Sequence, residues 1–136
     1  MLHERDVFLK QENLLVCVTK QKACERLIQK AVELNGGSKN GLYVLHVAKT
    51  GWNFLDTQHE GEALQYLFNV AKSAGANLTM LKSDDVIDSI VRFARENGIK
   101  HLIIGQSPED NASGGFYYKL KSRLTNVNII VVPPGE

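Results

Sequence analysis

The chain is short of the residues that cross-link, stiffen or steer a protein from outside. Two cysteines and three prolines in 136 residues leave no disulfide framework and no proline-rich linker. Cys17 lies in an apolar run and Cys24 on an expected helix, in neither metal-ligand nor redox-motif spacing, and no signal-peptide pattern precedes them. They read as two core thiols in a reducing cytoplasm. No apolar stretch approaches the roughly 20 residues of a membrane span, so the chain is expected to be soluble, with no direct membrane insertion. An excess of one charge is missing too. The 16 Lys+Arg against 15 Asp+Glu leave a formal charge of +1, which provides no global field for nucleic acid or an anionic bilayer. Any anion site must be local.

Catalytic and metal constellations are also absent from the pattern. His3, His59 and His101 are too dispersed for a metal cluster, and His46, inside a strand beside Val47 and Ala48, suits a packed or hydrogen-bonded role better than a catalytic one. Asp84, Asp85 and Asp88 are explained by negative charge at a helix N-terminus, and no nucleophile has an adjacent base. The expectation is a protein that is not an enzyme.

What the chain does have is alternation. With 43% hydrophobic and 23% charged residues it suits one domain with a single core. Leu14 to Val18 reads as a strand, followed by a helix on which Cys24, Leu27, Ile28 and Ala31 fall at helical spacing, stopped at Asn35-Gly36-Gly37. Leu42 to Val47 is a second strand. Glu62 to Ala74 is a second helix with Leu64, Leu67, Phe68 and Ala71 on one face, closed by Gly75. Asn77 to Lys82 makes a third strand, and Ser83-Asp84-Asp85 caps a helix burying Ile87, Ile90, Val91 and Ala94 that ends at Asn97-Gly98. A fourth strand from His101, a helix over Phe116 to Leu124 and a fifth strand over Val127 to Val132, ended by Pro133-Pro134, complete the pattern. Continuous apolar strands between helices require a parallel sheet covered on both faces, a doubly wound α/β domain over residues 13–136. Residues 1–12 stand outside this alternation as an N-terminal extension, either a short helix or strand, a frayed terminus or a remnant of a longer chain.

The functional signal is concentrated where His101-Leu102-Ile103-Ile104 runs into Gly105-Gln106-Ser107, since the loop after a parallel strand faces the ligand crevice. Pro108 to Gly115 then forms a polar, glycine-containing loop. Ser107 is either a hydroxyl donor to phosphate or a turn residue. Lys20 and Lys22 either hold an anion at the start of the first helix or are solvated loop lysines. Trp52, Phe54 and Leu55, within Thr50 to Gln58, make either a flap or contact surface, or a loop folded onto its own domain. Tyr117 and Tyr118 either stack on a base or cover the sheet.

These pieces carry a resemblance. Glu12 to Val18, Glu25 to Ala31, Ser83 to Glu96 and Ile103 to Ser107 are similar to the universal stress protein (UspA-like) family, along nearly the whole chain from about Asn13 to Pro133. Within the family the chain looks most like the cytoplasmic stress-protein-like domain of the potassium-sensing histidine kinase KdpD. The resemblance implies an adenine nucleotide alpha hydrolase-like fold, a five-stranded parallel sheet in the order 3-2-1-4-5 with helices on both faces. It implies ligand-facing positions at Thr19, Lys20, Gln21, Lys22, Val47, Gly105, Gln106, Ser107, Gly114 and Gly115. It also implies a homodimer paired through the edge Asn128-Ile129-Ile130-Val131-Val132, with shielding by the N-terminal segment or by Pro133-Pro134 as the alternative.

Many members of the family bind ATP through Gly-x2-Gly-x9-Gly-Ser/Thr after the fourth strand. Gly105 matches the first position, but the second falls on Pro108 and the last pair on Tyr118-Lys119, while Thr19-Lys20 stands where an acidic residue is common. Proline lacks the N–H, and a side chain as large as Tyr blocks close approach to phosphate. Gly114-Gly115 either rebuilds the cradle in another register or is plain loop. The cyclic di-AMP pattern of some relatives is not reproduced by Thr19-Lys20-Gln21 or by Leu42 to His46. Two function classes follow. One is a regulatory domain, degenerate in nucleotide binding, working alone or as the cytoplasmic part of a membrane sensor kinase. The other is a switch that binds an adenine nucleotide (ATP or cyclic di-AMP). Slow ATP hydrolysis ranks last, with no metal-binding carboxylate visible at the loop.

Overall fold

An apolar, β-branched strand is stable only where both of its faces are covered, and the chain meets that demand by placing its most apolar strands in the middle of a sheet. The computed structural model describes residues 12–19, 21–36, 41–106 and 115–133. β1 (Asn13–Cys17), β2 (Leu42–Lys49), β3 (Asn77–Ser83), β4 (Ile99–Gly105) and β5 (Asn128–Val132) form one five-stranded sheet in the order β3-β2-β1-β4-β5. Every neighbouring pair is parallel, as expected for the doubly wound fold. The crossovers carry α1 (Gln21–Leu34), α2 (Glu60–Ser73), α3 (Val86–Glu96) and α4 (Phe116–Arg123), with a single 3-10 turn over Phe54–Asp56.

Alternation of side chains along the strands divides the core into two layers. Leu14, Val16 and Val18 pack with Cys24, Leu27 and Ile28 of α1 and with Ala63, Leu67 and Ala71 of α2. Leu15, Cys17 and Leu45 face the other way, onto Ile90, Val91 and Ala94 of α3 and Leu120 of α4. So α1 and α2 cover one face and α3 and α4 the other. Leu15, Leu102 and Ile103 are fully buried, and each such side chain stabilises the fold by about 1.5–3 kcal/mol. Neither cysteine is in a disulfide, and burial pushes both thiols up to about 12, which leaves them inert.

The ends of elements shift from the expected ones. β2 continues to Lys49 and β3 to Ser83, β4 begins at Ile99 rather than His101, and β5 begins at Asn128. Val18 falls outside β1, although its N–H still donates to Leu45 O at 3.0 Å. α4 ends at Arg123, and α2 begins at Glu60 rather than Glu62. The buried row of α2 is Ala63, Leu67 and Ala71, so the helix is rotated from the expected stripe and Phe68 is 50% exposed. Small alanines on the buried row allow close approach to the sheet, and Phe68 instead carries the Lys72 ammonium 5.9 Å from its ring centre. The expected cap of α3 is present: the Asp85 carboxylate accepts the Asp88 N–H at 3.0 Å.

The N-terminal end of the sheet is closed by polar contacts. Asn13 Nδ2 donates to Asn97 O at 2.7 Å, and Glu12 pairs with His101 Nε2 at 2.8 Å. Arg95 donates to Arg123 O, capping the end of α4. No helix among the described residues is long and apolar enough to cross a membrane. The rest of the N-terminal extension, residues 1–11, lies outside the described residues.

Candidate functional site

Chain direction across the sheet reverses between β1 and β4, because β1 leads outward to β2 and β3 while β4 leads the opposite way to β5. At such a switch point the two outgoing loops diverge and leave a crevice at the C-terminal ends of the strands. Thr19, after β1, is exposed there. Gln21 and Lys22 open α1, so their backbone belongs to the helix start that faces the crevice. Lys20, Ser107 and Gly114, with Pro108, lie outside the described residues.

Gly105 ends β4 opposite Val132, and the next amide, Gln106 N–H, donates to Val132 O at 2.9 Å. A Cβ added at Gly105 would meet Leu27 Cδ1 of α1 at 3.5 Å, an ordinary contact, so the fold itself does not require glycine here. Gly115, buried, is the N-cap of α4 with no side-chain cap bond, and its carbonyl accepts Lys119 N–H at 3.0 Å. Tyr118 is therefore the third residue of a helix, 48% exposed, and Tyr117 packs edge-on against it at 5.1 Å.

Beside the β1 end lies a cavity of about 230 Å³ whose walls include Thr19, His46, Val47, Lys49, Trp52 and Val86. Thr19 and Val47, named separately by the sequence, thus share one space, with Val47 only 8% exposed.

His46 explains how this wall is built. Its ring is buried, with Nδ1 2.7 Å from Val18 O and Nε2 accepting the Leu55 N–H at 2.8 Å. One partner is an acceptor and the other a donor, which selects the neutral tautomer protonated at Nδ1. Burial pulls the imidazole pKa below its usual 6.5, opposed in part by the hydrogen bond to Val18. Leu55 reaches His46 from a left-handed backbone conformation, φ 57°, unusual for a leucine. The Phe54 N–H donates to Glu60 at 2.7 Å, and Lys82 lies 4.8 Å from the Phe54 ring centre and 4.0 Å from Glu60. The two readings of the aromatic loop therefore divide: Phe54 and Leu55 fold onto the domain, whereas Trp52 stays 59% exposed at the cavity mouth. Sequence reasoning named Leu55 in the loop but missed its bond to His46, since no glycine marks the left-handed residue, and it missed the hold of Glu60 on Phe54, since the helix was expected to begin only at Glu62.

Among the described residues no group of three or more His, Cys, Asp or Glu could hold a metal ion. β5 is the outer strand on its side, with Asn128 exposed, Ile129, Ile130 and Val131 half-buried and Val132 buried.

No protein-family model matches the chain, and no curated protein does. Solved structures do. A universal stress protein from Archaeoglobus fulgidus in complex with dAMP is 20% identical, with TM-score 0.58, covering 88% of this chain and 96% of that one. UspA from Lactobacillus plantarum is 18% identical, with TM-score 0.62, covering 89% and 97%. A universal stress protein in complex with cAMP is 16% identical, with TM-score 0.58, covering 91% and 98%. At these identities the likeness is one of fold: the five-stranded parallel sheet in the order 3-2-1-4-5 is the universal stress protein architecture.

Proposed function

We propose that this chain is a non-catalytic signalling domain of the universal stress protein type, whose crevice at the ends of β1, β2 and β4 takes an adenine nucleotide without the usual triphosphate cradle. The observation that carries the reading is Gly105. The protein has room for a methyl group there, so what glycine adds is bare backbone for a ligand to approach at the switch point. The nucleotides in two proteins of this fold, dAMP and cAMP, each carry one phosphate. A single phosphate needs fewer amide donors than a triphosphate, and Gly115 at the head of α4 offers its helix N-terminus at the same end of the sheet. Val47 and the cavity beside Thr19 offer an apolar wall for a base. Occupancy would pass to a partner or a second copy through the β5 edge, Asn128 to Val132, as a population shift.

Calorimetric titration with AMP, cAMP, ATP and cyclic di-AMP, with and without magnesium, tests this on the wild type and on Gly105→Trp. Saturable binding that favours the monophosphates and is lost in the folded variant supports the proposal. No heat at millimolar nucleotide overturns it.

A second reading is favoured by Pro108 and Tyr118, which stand where the family's phosphate-binding glycines do. In it the chain is the stress-protein-like domain of a KdpD-type sensor kinase, cytoplasmic, acting through protein contacts with no nucleotide.

A further inference from the structure

His46 is one of two polar side chains buried among the described residues, and it joins segments far apart in the chain. Its strand, β2, contributes the ring; Val18, at the exit of β1, contributes the acceptor; Leu55, in the β2–α2 loop, contributes the donor. Thr19 follows Val18 directly, and Trp52 precedes Leu55 by one short turn, so this imidazole links the two segments that carry these walls, beside the Trp52 N–H bond to Lys49 O at 2.9 Å. We propose that His46 is a positioning residue for the crevice: its neutral ring bolts the Trp52 loop to the end of β1, and a proton on Nε2 releases that loop.

The chemistry follows from the two nitrogens. Nδ1–H donates to the Val18 carbonyl in either charge state, so the bond to β1 persists. Nε2 has a lone pair for the Leu55 N–H only while it is unprotonated. Once solvent delivers a proton there, two donors face each other across 2.8 Å, and the Leu55 amide must leave. Leu55 gives way readily because its left-handed backbone, φ 57°, is itself unfavourable for a leucine. The Phe54 ring, 5.7 Å from the imidazole, would follow.

The charged groups around the loop are Glu60 at the head of α2, Lys82 on β3 and Lys49 at the end of β2, while buried Cys24 on α1 stays protonated. Glu60 and Lys82 hold Phe54 from outside, and among the described bonds neither touches the imidazole. His59 heads α2 near Glu62, 3.7 Å away, and is the histidine nearest in sequence to this loop, which makes it the control. The latch is independent of whether the crevice holds a nucleotide.

The test uses the full chain and its single tryptophan. Amide hydrogen exchange at Leu55, corrected for the intrinsic rate, and Trp52 emission are followed from about pH 7.5 down to about pH 5, the range over which histidine changes charge. Leu55 protection should fall on the order of tenfold per pH unit once His46 protonates, reversibly, while Leu15 and Val16 of β1 stay protected. Trp52 emission should shift over the same interval. Both changes should vanish in His46→Gln and survive in His59→Gln. Constant Leu55 protection across the range in the wild type overturns the proposal, and this measurement stands even if His46→Gln does not fold. Loss of β1 protection together with Leu55, or an unchanged transition in a folded His46→Gln, overturns it as well.

Discussion

The two ends of the sheet are built differently. At the N-terminal end the turns are tied down: Asn13 bridges to Asn97 O, Leu14 N–H donates to Gly41 O at 2.7 Å, Glu12 pairs with His101, and Arg95 caps α4. At the C-terminal end an open cavity separates Thr19 from Trp52, and the loop that walls it is held by buried His46 together with the Trp52 N–H bond to Lys49 O and the Phe54 N–H bond to Glu60. Turns tied together across the sheet at one end, and a loop held around an open cavity through a buried titratable ring at the other, separate the task of holding the fold from that of keeping a site adjustable.

Substitutions at either end should expose this difference, the largest at the anchor. His46→Leu leaves the Val18 carbonyl and the Leu55 N–H buried without a partner, and should cost about 3 kcal/mol in urea unfolding with an unchanged m-value. The pH dependence has a definite sign. The folded imidazole has its pKa depressed below 6.5, so the unfolded chain binds the extra proton first. The contribution is therefore complete above pH 6.5, is lost as pH falls through the interval between the unfolded and folded values, and then levels off. A flat profile for the wild type over that interval, or an identical slope in His46→Leu, would break the contrast.

Next comes Gly41→Ala at the closed end. Gly41 has φ 78°, and an added Cβ would lie 2.7 Å from Asn13 Oδ1, so the change should cost about 2 kcal/mol. Asn13→Ala strips the partner from a part-buried carbonyl and should cost about 1 kcal/mol by the same measurement. Glu12→Gln, in a half-exposed pair, should change stability by less than about 1 kcal/mol, with the difference shrinking further in high salt. At the open end, Gly105→Ala should leave the melting temperature almost unchanged, because its methyl would meet Leu27 at an ordinary distance. Any loss of nucleotide affinity in that variant would then be local to the crevice.

How far the sequence reveals each end follows from how local its signals are. Strand and helix alternation was legible because periodicity and the stops at Asn35-Gly36, Gly75 and Asn97-Gly98 are short-range features, and Gly36, Gly75 and Gly98 all adopt positive φ. Strand order was not legible that way. It came from the family resemblance, since pairings such as Leu14 with His101 leave no periodic trace. The rotation of α2 escaped because Leu64 and Phe68 outweigh Ala63 in any count of hydrophobicity, although the small residue is the one that fits against the sheet. In the site, Gly105 was visible as a glycine ending a strand, and His46 as a packed ring. Its partners were invisible, because a backbone carbonyl at Val18 and an amide at Leu55 carry no side-chain signature.

The sheet order also decides what happens while the chain is being made. β1 is made before the other described strands, yet one of its two neighbours, β4, lies beyond β2, β3 and three helices, with Asn13 pairing with Ile99. At bacterial or eukaryotic elongation rates that gap lasts on the order of ten seconds. Throughout it, the strand destined for the middle of the sheet presents Leu14, Leu15 and Val16 along an open edge, where strands of other nascent chains can add. Crowding of ribosomes on one message would bring such open edges close together.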